Sequence, residues 1–342
     1  MLWRHFLNEA QIRRAIEINY NLNVIAIEKI KNVYKIKTKQ GEYCLKVVKY
    51  GIDHFLFILG AIKHLQNNGF NSTPPIIRNN SGLDYIKLEN SNAFLTPWIN
   101  ARQCDYDNLY EVTLATSKLA EMHSKSQGFV LKENMKPRIG WYKWIDNFIT
   151  KNDEIIDFKR RIENKSKKSE FDILYLNEME NQLEKADKAI LNLSVSSYLK
   201  KMESEIEKHG FCHHDYAHHN VLIEENDNVN IIDFDFCILD SHLHDLSSLI
   251  IRVMKNGKWD IRNALHILNV YNSISAVDRF DIPIMAAFME YPQEYWQIGI
   301  QYYWENQSWE EDFFMKKLNR MYDDELDRQD FLEEFSILKY KG

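Results

Sequence analysis

Cysteine is scarce: four occur in 342 residues, at Cys44, Cys104, Cys212 and Cys237, all far apart. That excludes a disulfide framework and suits reduced thiols in a cytoplasmic setting. No apolar run approaches the ~20 residues of a membrane-spanning helix, so no span is expected. The start, Met1-Leu2-Trp3-Arg4-His5, lacks the basic-then-apolar pattern of a secretory signal, and synthesis without one is expected. No long block of one charge sign appears; 43 Lys and Arg stand against 50 Asp and Glu, a net charge of −7. A nucleic-acid binder would show a basic patch, so that class is disfavoured, while a cationic substrate is compatible. Eleven Gly and six Pro are few, and beside abundant Asn and Lys they read as genome composition. Neither a repeat nor a low-complexity linker is found. What is present is 45% hydrophobic content, enough for a full core and for two lobes.

One stretch carries most of the chemistry. His213-His214-Asp215-Tyr216-Ala217-His218-His219-Asn220 is followed by Ile231-Ile232-Asp233-Phe234-Asp235. Phosphoryl transfer uses this set: a carboxylate to orient the attacking hydroxyl, and an Asn and an Asp to hold magnesium on the phosphates. Val221-Leu222-Ile223 and Val229-Asn230-Ile231-Ile232 read as strands joined by the turn formers Glu224-Glu225-Asn226-Asp227-Asn228. A turn centred on Asn226-Asp227 would pair Asn220 with Asp233 across the hairpin mouth, about 4.5–5.5 Å apart. Oxygens at that separation can share one Mg²⁺. The bland reading of an isolated Asp and Asn is a turn. Crowded histidines beside Cys212 invite zinc, but neither C-x-x-C nor H-E-x-x-H accompanies them. His213 is expected to pack under the loop and hydrogen-bond its backbone.

Along the chain, residues 9–20 read as a helix. Strands follow at Val24-Ile25-Ala26-Ile27, at residues 33–38 and at residues 42–48. Residues 54–66 form an apolar helix stopping at Asn67-Asn68-Gly69. Two further strands, residues 85–89 and 93–96, precede Pro97. Beyond it the pattern is helical, with a charged helical insertion over about residues 141–208. The expected fold is α+β: a small β-rich lobe with one main helix (residues 1–96), then a large helical lobe carrying the loop hairpin (residues 97–342). That is the kinase order, with nucleotide in the cleft between lobes.

The H-x-D-x-x-x-x-N and I-D-F-D pair resembles the aminoglycoside phosphotransferase and choline kinase branch of the protein-kinase-like fold. More closely, the chain is similar to the CotS-type spore coat proteins. The matching stretches are Tyr43-Cys44-Leu45-Lys46, His64-Leu65 with Gly69-Phe70, Leu95-Thr96-Pro97-Trp98-Ile99, and Leu119-Ala120-Glu121-Met122-His123 with Gly128-Phe129. Residues 212–222 and 232–237, with His244-Asp245-Leu246, complete them. The resemblance implies ATP and Mg²⁺ as cofactors, Asp215 as the catalytic aspartate, and Asn220 and Asp233 as metal ligands. It implies Lys46 at the α/β-phosphates, Thr96-Pro97-Trp98 as a hinge beside adenine, and Asp245 as a brace of the catalytic loop. Lys46 read blandly is an exposed strand lysine, although alternation puts it on the face of Cys44 and Val48. Asp245 could equally cap a following helix.

Two departures from that pattern stand out. The stretch Glu28-Lys29-Ile30-Lys31-Asn32-Val33, where a phosphate-covering loop belongs, has no glycine to let backbone N–H groups approach phosphate. Lys29, Lys31 or Asn32 would contribute instead. Residues 54–66 contain no acid to pair with Lys46; Asp53 is near, and reads first as an N-cap. Glu290, Tyr291, Glu294, Trp296, Tyr302, Tyr303 and Trp304 could line a pocket for an amine, or be core. The leading function is transfer of the ATP γ-phosphate to a hydroxyl of a small molecule or coat glycan. The alternative is a spore coat scaffold using the fold as a binding module, with other coat proteins as partners. A protein kinase is disfavoured, since no A-P-E follows Asp233.

Overall fold

The computed structural model describes residues 8–48, 50–305, 307 and 309–340. The stretch read for a signal, residues 1–5, lies outside them. The described chain divides into two compact units that interleave in sequence. The first comprises the residues up to Cys104 with Phe129–Arg138 and His218–Cys237; the second comprises Asp105–Gly128, Ile139–Ala217 and the chain from Ile238. The sequence draws one boundary near residue 97, whereas the first unit also gathers the hairpin carrying Asn220 and Asp233.

In the first unit, helix α1 (Glu9–Tyr20) opens with a reciprocal cap. The Asn8 side chain accepts from the Gln11 amide, and the Gln11 side chain accepts from the Asn8 amide. Ile12, Ile16 and Tyr20, four apart, form its buried face. Strands β1 (Val24–Ile30), β2 (Val33–Thr38) and β3 (Gly41–Val48), helix α2 (Ile52–Asn67), and strands β4 (Ile86–Leu88) and β5 (Ser91–Pro97) follow. The strands make one antiparallel sheet in the order β1-β2-β3-β5-β4. Side chains alternate along β3. Leu45, flanked by Tyr43 and Val47, packs with Ile12 and Ile16 of α1. On the opposite face Val48 joins Phe55 and Leu59 of α2 and Phe94 of β5. Lys46 shares that second face.

β1 outruns its expected end at Ile27. Glu28, Lys29 and Ile30 keep pairing with Lys35, Tyr34 and Val33, so only Lys31-Asn32 joins the two strands. Lys31 adopts the left-handed conformation (φ 50°) that this tight connection requires. Asp53 does not cap α2. The helix opens two residues earlier, with Gly51 at the cap position, which leaves Asp53 in the first turn.

The second unit is largely helical: α3 (Leu109–Ser126), α4 (Trp144–Glu163), α5 (Glu170–Val195), α6 (Tyr198–Lys208), α7 (Leu243–Met254), α8 (Ile261–Asn272), α9 (Asp281–Glu290) and α10 (Gln293–Gly299). α5 opens with Ser169 and Asp172 in a capping box. Its Phe171, Tyr175 and Met179 meet Ile155, Phe158 and Ile162 of α4 and Tyr295 and Ile298 of α10. The aromatic segment therefore supplies core through Tyr295 and Ile298, while Trp304 at its end is exposed. Tyr303 belongs to that cluster. Tyr291 stacks on Phe148 with ring centroids 4.0 Å apart, and its hydroxyl donates to Asn152 Oδ1. Glu290 pairs with Lys188, and Trp296 donates to Glu154. Among the described residues, no helix is long and apolar enough to cross a membrane.

Candidate active site

Strands Val221–Ile223 and Val229–Ile231 form the expected hairpin, but its register differs by one residue. Val221 pairs with Ile231, Leu222 with Asn230 and Ile223 with Val229. The five-residue loop 224–228 is symmetric about Asn226, closed by the Glu224 amide donating to the Asn228 carbonyl. Asn220 therefore faces Ile232, whose amide donates to the Asn220 carbonyl at 3.0 Å, and not Asp233. Strand alternation alone would then aim Asn220 and Asp233 to opposite sides. Asp233 instead leaves the strand in a left-handed conformation (φ 65°, ψ 63°), which ends the alternation. Both residues line the same cavity. A backbone kink, rather than direct cross-strand pairing, brings them together.

That cavity lies wholly within the first unit and holds about 370 Å³. Lys46, Asn32, Thr96, Trp98, Asn220 and Asp233 all line it. Ile58 and Ile62 of α2, with Phe94, Leu222 and Ile231, give it apolar walls. Lys46 Nζ sits 2.6 Å from Asp233 Oδ1 and 2.8 Å from Asp235 Oδ1, with its side chain 12% exposed. The Tyr50 hydroxyl donates to Asp235 Oδ1 at 2.9 Å. Burial, then the neighbouring Asp235 charge, raises the Tyr50 phenol far above its ordinary value, so it stays a donor. Burial likewise pushes the Cys44 thiol up to about 11, so this lining residue is neutral. The Trp98 amide donates to the Glu42 carbonyl at 3.0 Å, and Lys35 lies over the indole. The hinge expected at Thr96-Pro97-Trp98 thus borders the cavity with its Trp98 amide engaged by the strand end. An amide oxygen at Asn220 and a carboxylate at Asp233 are the donors a hard divalent cation takes, so this set fits Mg²⁺.

Asp215 belongs to the second unit. Its carboxylate Oδ1 accepts from Arg252 Nη2 of α7 at 2.9 Å. Beneath it Asp245, fully buried, accepts from the amides of His213 (2.7 Å) and His214 (2.9 Å). His123 Nε2 reaches the same carboxylate at 3.1 Å. Burial alone would raise the Asp245 carboxyl; the His123 hydrogen bond and the neighbouring His123 and His244 rings outweigh it and hold the group well below the usual carboxylate range. Asp245 sits in the first turn of α7, so the capping alternative does not apply. His213 is fully buried, and its Nδ1 accepts from the Asp215 amide at 3.3 Å. The ligand atoms of Cys212, His123 and Asp245 lie within 4.8 Å of one another. Cys212 already donates to the Asp240 and Ser241 carbonyls, and His123 bridges Tyr271 and Asp245. This is a hydrogen-bonded brace.

Four residues here escaped the sequence reading. Asp235 was visible as the second acid of I-D-F-D but had no assigned partner. His123 stood at the end of a matching stretch. Tyr50 and Arg252 carry no local signal; only the fold brings them to their carboxylates.

The chain matches the family model described as "Spore coat putative kinase YutH" over residues 13–335. Among solved structures it is similar to an aminoglycoside phosphotransferase from Alicyclobacillus acidocaldarius subsp. acidocaldarius, with TM-score 0.82 and 17% identity, covering 96% of this chain and 95% of that one. A spectinomycin phosphotransferase solved with ADP and spectinomycin gives 0.72 at 16% identity, covering 97% and 99%. An amicoumacin kinase solved with AMP-PNP and Ca²⁺ gives 0.63 at 13%, covering 98% and 96%. At such identities these likenesses show the fold, which is protein-kinase-like.

Proposed function

The chain belongs to the YutH family of spore coat kinase-like proteins, and from that premise we propose that it is an ATP- and Mg²⁺-dependent phosphotransferase. The γ-phosphate would pass to a hydroxyl of a small molecule or a coat glycan, with the spore coat as the protein's destination. One observation carries the reading: Lys46, Asn220 and Asp233 line a single cavity, with Lys46 Nζ 2.6 Å from Asp233. Lys46 would exchange part of that ion pair for the nucleotide's α/β-phosphates. Asn220 and Asp233 would hold Mg²⁺, which when bound offsets phosphate charge. The base would sit against Thr96, Trp98 and the apolar walls, with Asn32 at the phosphate end. Asp215 would accept a hydrogen bond from the acceptor hydroxyl and aim it at phosphorus, on a loop held by Asp245 and His213. Its catalytic role rests on the motif spacing and the braced loop.

A second reading, a coat scaffold, is favoured by one feature: Lys31-Asn32 joins β1 and β2 with no glycine for phosphate to approach. Thermal shift with ATP, with and without Mg²⁺, separates the two. Ligand at ~100 times its dissociation constant adds ~2.7 kcal/mol of stability. A magnesium-dependent rise in the wild type, lost in Asp233→Ala and kept in Asp215→Ala, is the expected result. No rise at millimolar nucleotide would leave the scaffold reading standing, and equal affinity in Asp233→Ala would remove the metal assignment.

A further inference from the structure

A phosphate-binding lysine needs an acid to hold its long side chain in place. Among kinases that acid comes from the helix after the lysine strand. Here α2 turns Ile58 and Ile62 to the cavity instead, and its one acid, Asp53, lies in the first turn. Lys46 nevertheless has two carboxylate partners, Asp233 and Asp235. Under the metal reading Asp233 gives its charge to the cation, so it cannot remain a full counter-ion to Lys46. Asp235 is separately anchored. It stands in the short helical turn Phe234–Phe236, and the Tyr50 hydroxyl donates to the same oxygen that Lys46 approaches. Tyr50 lies just before α2 in sequence, so the region that lacks the acid supplies the group that fixes its substitute.

We propose that Asp235, held by Tyr50, is the positioning residue for Lys46, replacing the acid absent from α2. The inference rests on the nucleotide-binding reading above. It makes Asp235 neither a metal ligand nor a general base, and it accounts for how an ordered lysine survives without a helix acid.

Equilibrium binding of ATP to the full chain, titrated against Mg²⁺, is the test. Asp235→Asn is expected to weaken ATP about tenfold at saturating Mg²⁺, the size of one charge-assisted contact. The Mg²⁺ midpoint should stay within about twofold of the wild type. In a Lys46→Met background the same change should weaken ATP by less than about twofold, because the partner it acts through has gone. Asp235→Glu should recover part of the loss. Tyr50→Phe keeps the carboxylate and should weaken ATP about threefold; it carries the test if Asp235→Asn folds poorly. A shifted Mg²⁺ midpoint would make Asp235 a metal ligand and overturn the proposal. Full additivity with Lys46→Met, or unchanged affinity in both Asp235→Asn and Tyr50→Phe, would overturn it too. A wild type that binds no Mg·ATP would fail the underlying reading instead, so the two failures are distinguishable.

Discussion

Replacing Asp245 by Ala should be among the most damaging single changes in the second unit. The carboxylate is fully buried and satisfies three donors: the amides of His213 and His214 and His123 Nε2. A buried donor left without an acceptor costs ~1–3 kcal/mol, and some relaxation or water entry is expected. The sum for three donors should fall near ~3–5 kcal/mol, against a typical total stability of ~5–15 kcal/mol. For a unit of this size each kcal/mol moves the melting midpoint by ~2–4 °C, so a fall of roughly 6–20 °C follows. Two compact units need not melt together, so the readout is the midpoint of the transition and not one global free energy. Asp245→Asn keeps one acceptor oxygen but sets an NH₂ against the remaining donors, and should fall between. The pH dependence has a definite sign. The folded carboxyl is held well below its ordinary value, so its contribution is present above about pH 4 and lost as pH falls through the folded pKa. The gap between wild type and Asp245→Ala should therefore narrow in strong acid. An Asp245→Ala protein melting within ~2 °C of the wild type at pH 7 would refute the brace.

Gly299 ends α10 where an added methyl would meet the Phe158 ring at 2.6 Å and the Tyr175 hydroxyl. Gly299→Ala should destabilise by ~1–3 kcal/mol in urea denaturation, and no change would mean the core there is loose. Asp240, buried under Trp144, has its carboxyl pushed up to about 6 by desolvation. Because the folded value is raised, its contribution is complete below about pH 4 and lost by up to ~3 kcal/mol as pH rises through 6. Asp240→Asn should flatten the fall in melting midpoint between pH 4 and 7; an unchanged slope would reject the shift.

Much of the fold was legible because its signals were local. The four-residue spacing of Ile12, Ile16 and Tyr20, the stop at Asn67-Asn68-Gly69 and the alternation through Lys46 each appear where the sequence puts them. Failures came where one residue decides the outcome. Nothing in Glu224-Glu225-Asn226-Asp227-Asn228 distinguishes a turn centred on two residues from one centred on a single residue, and the register moved accordingly. The left-handed backbone at Asp233, which turns it into the cavity that Asn220 lines despite that shift, has no composition signal beyond Asp tolerating it. Asn220 and Asp233 thus line one cavity, as expected of them, but through a different local geometry. Partners far apart in sequence, Tyr50 with Asp235 and Arg252 with Asp215, follow from tertiary placement. The aromatic run after Glu290 was ambiguous because core and binding surface use the same residues.

Choosing between enzyme and scaffold comes down to charge in the first unit's cavity. Asp233, Asp235 and Lys46 together sum to one negative charge, with Lys31 also lining the cavity, and Asp233 is 39% exposed against 12% for Lys46. Such a network is weak support for folding, since charge repulsion and desolvation oppose the ion pairs and solvent screens the exposed acids. A binding module that never met a cation would be as stable with neutral side chains. The triple change Lys46→Met, Asp233→Asn and Asp235→Asn tests this. Asn tolerates the left-handed backbone at 233, and at 235 its oxygen can still accept from Tyr50. The variant should melt within ~3 °C of the wild type, as removal of partly exposed ion pairs predicts, while binding no Mg·ATP. A fall of more than ~8 °C would mean the charges hold the fold itself, and their presence would then no longer argue for nucleotide chemistry.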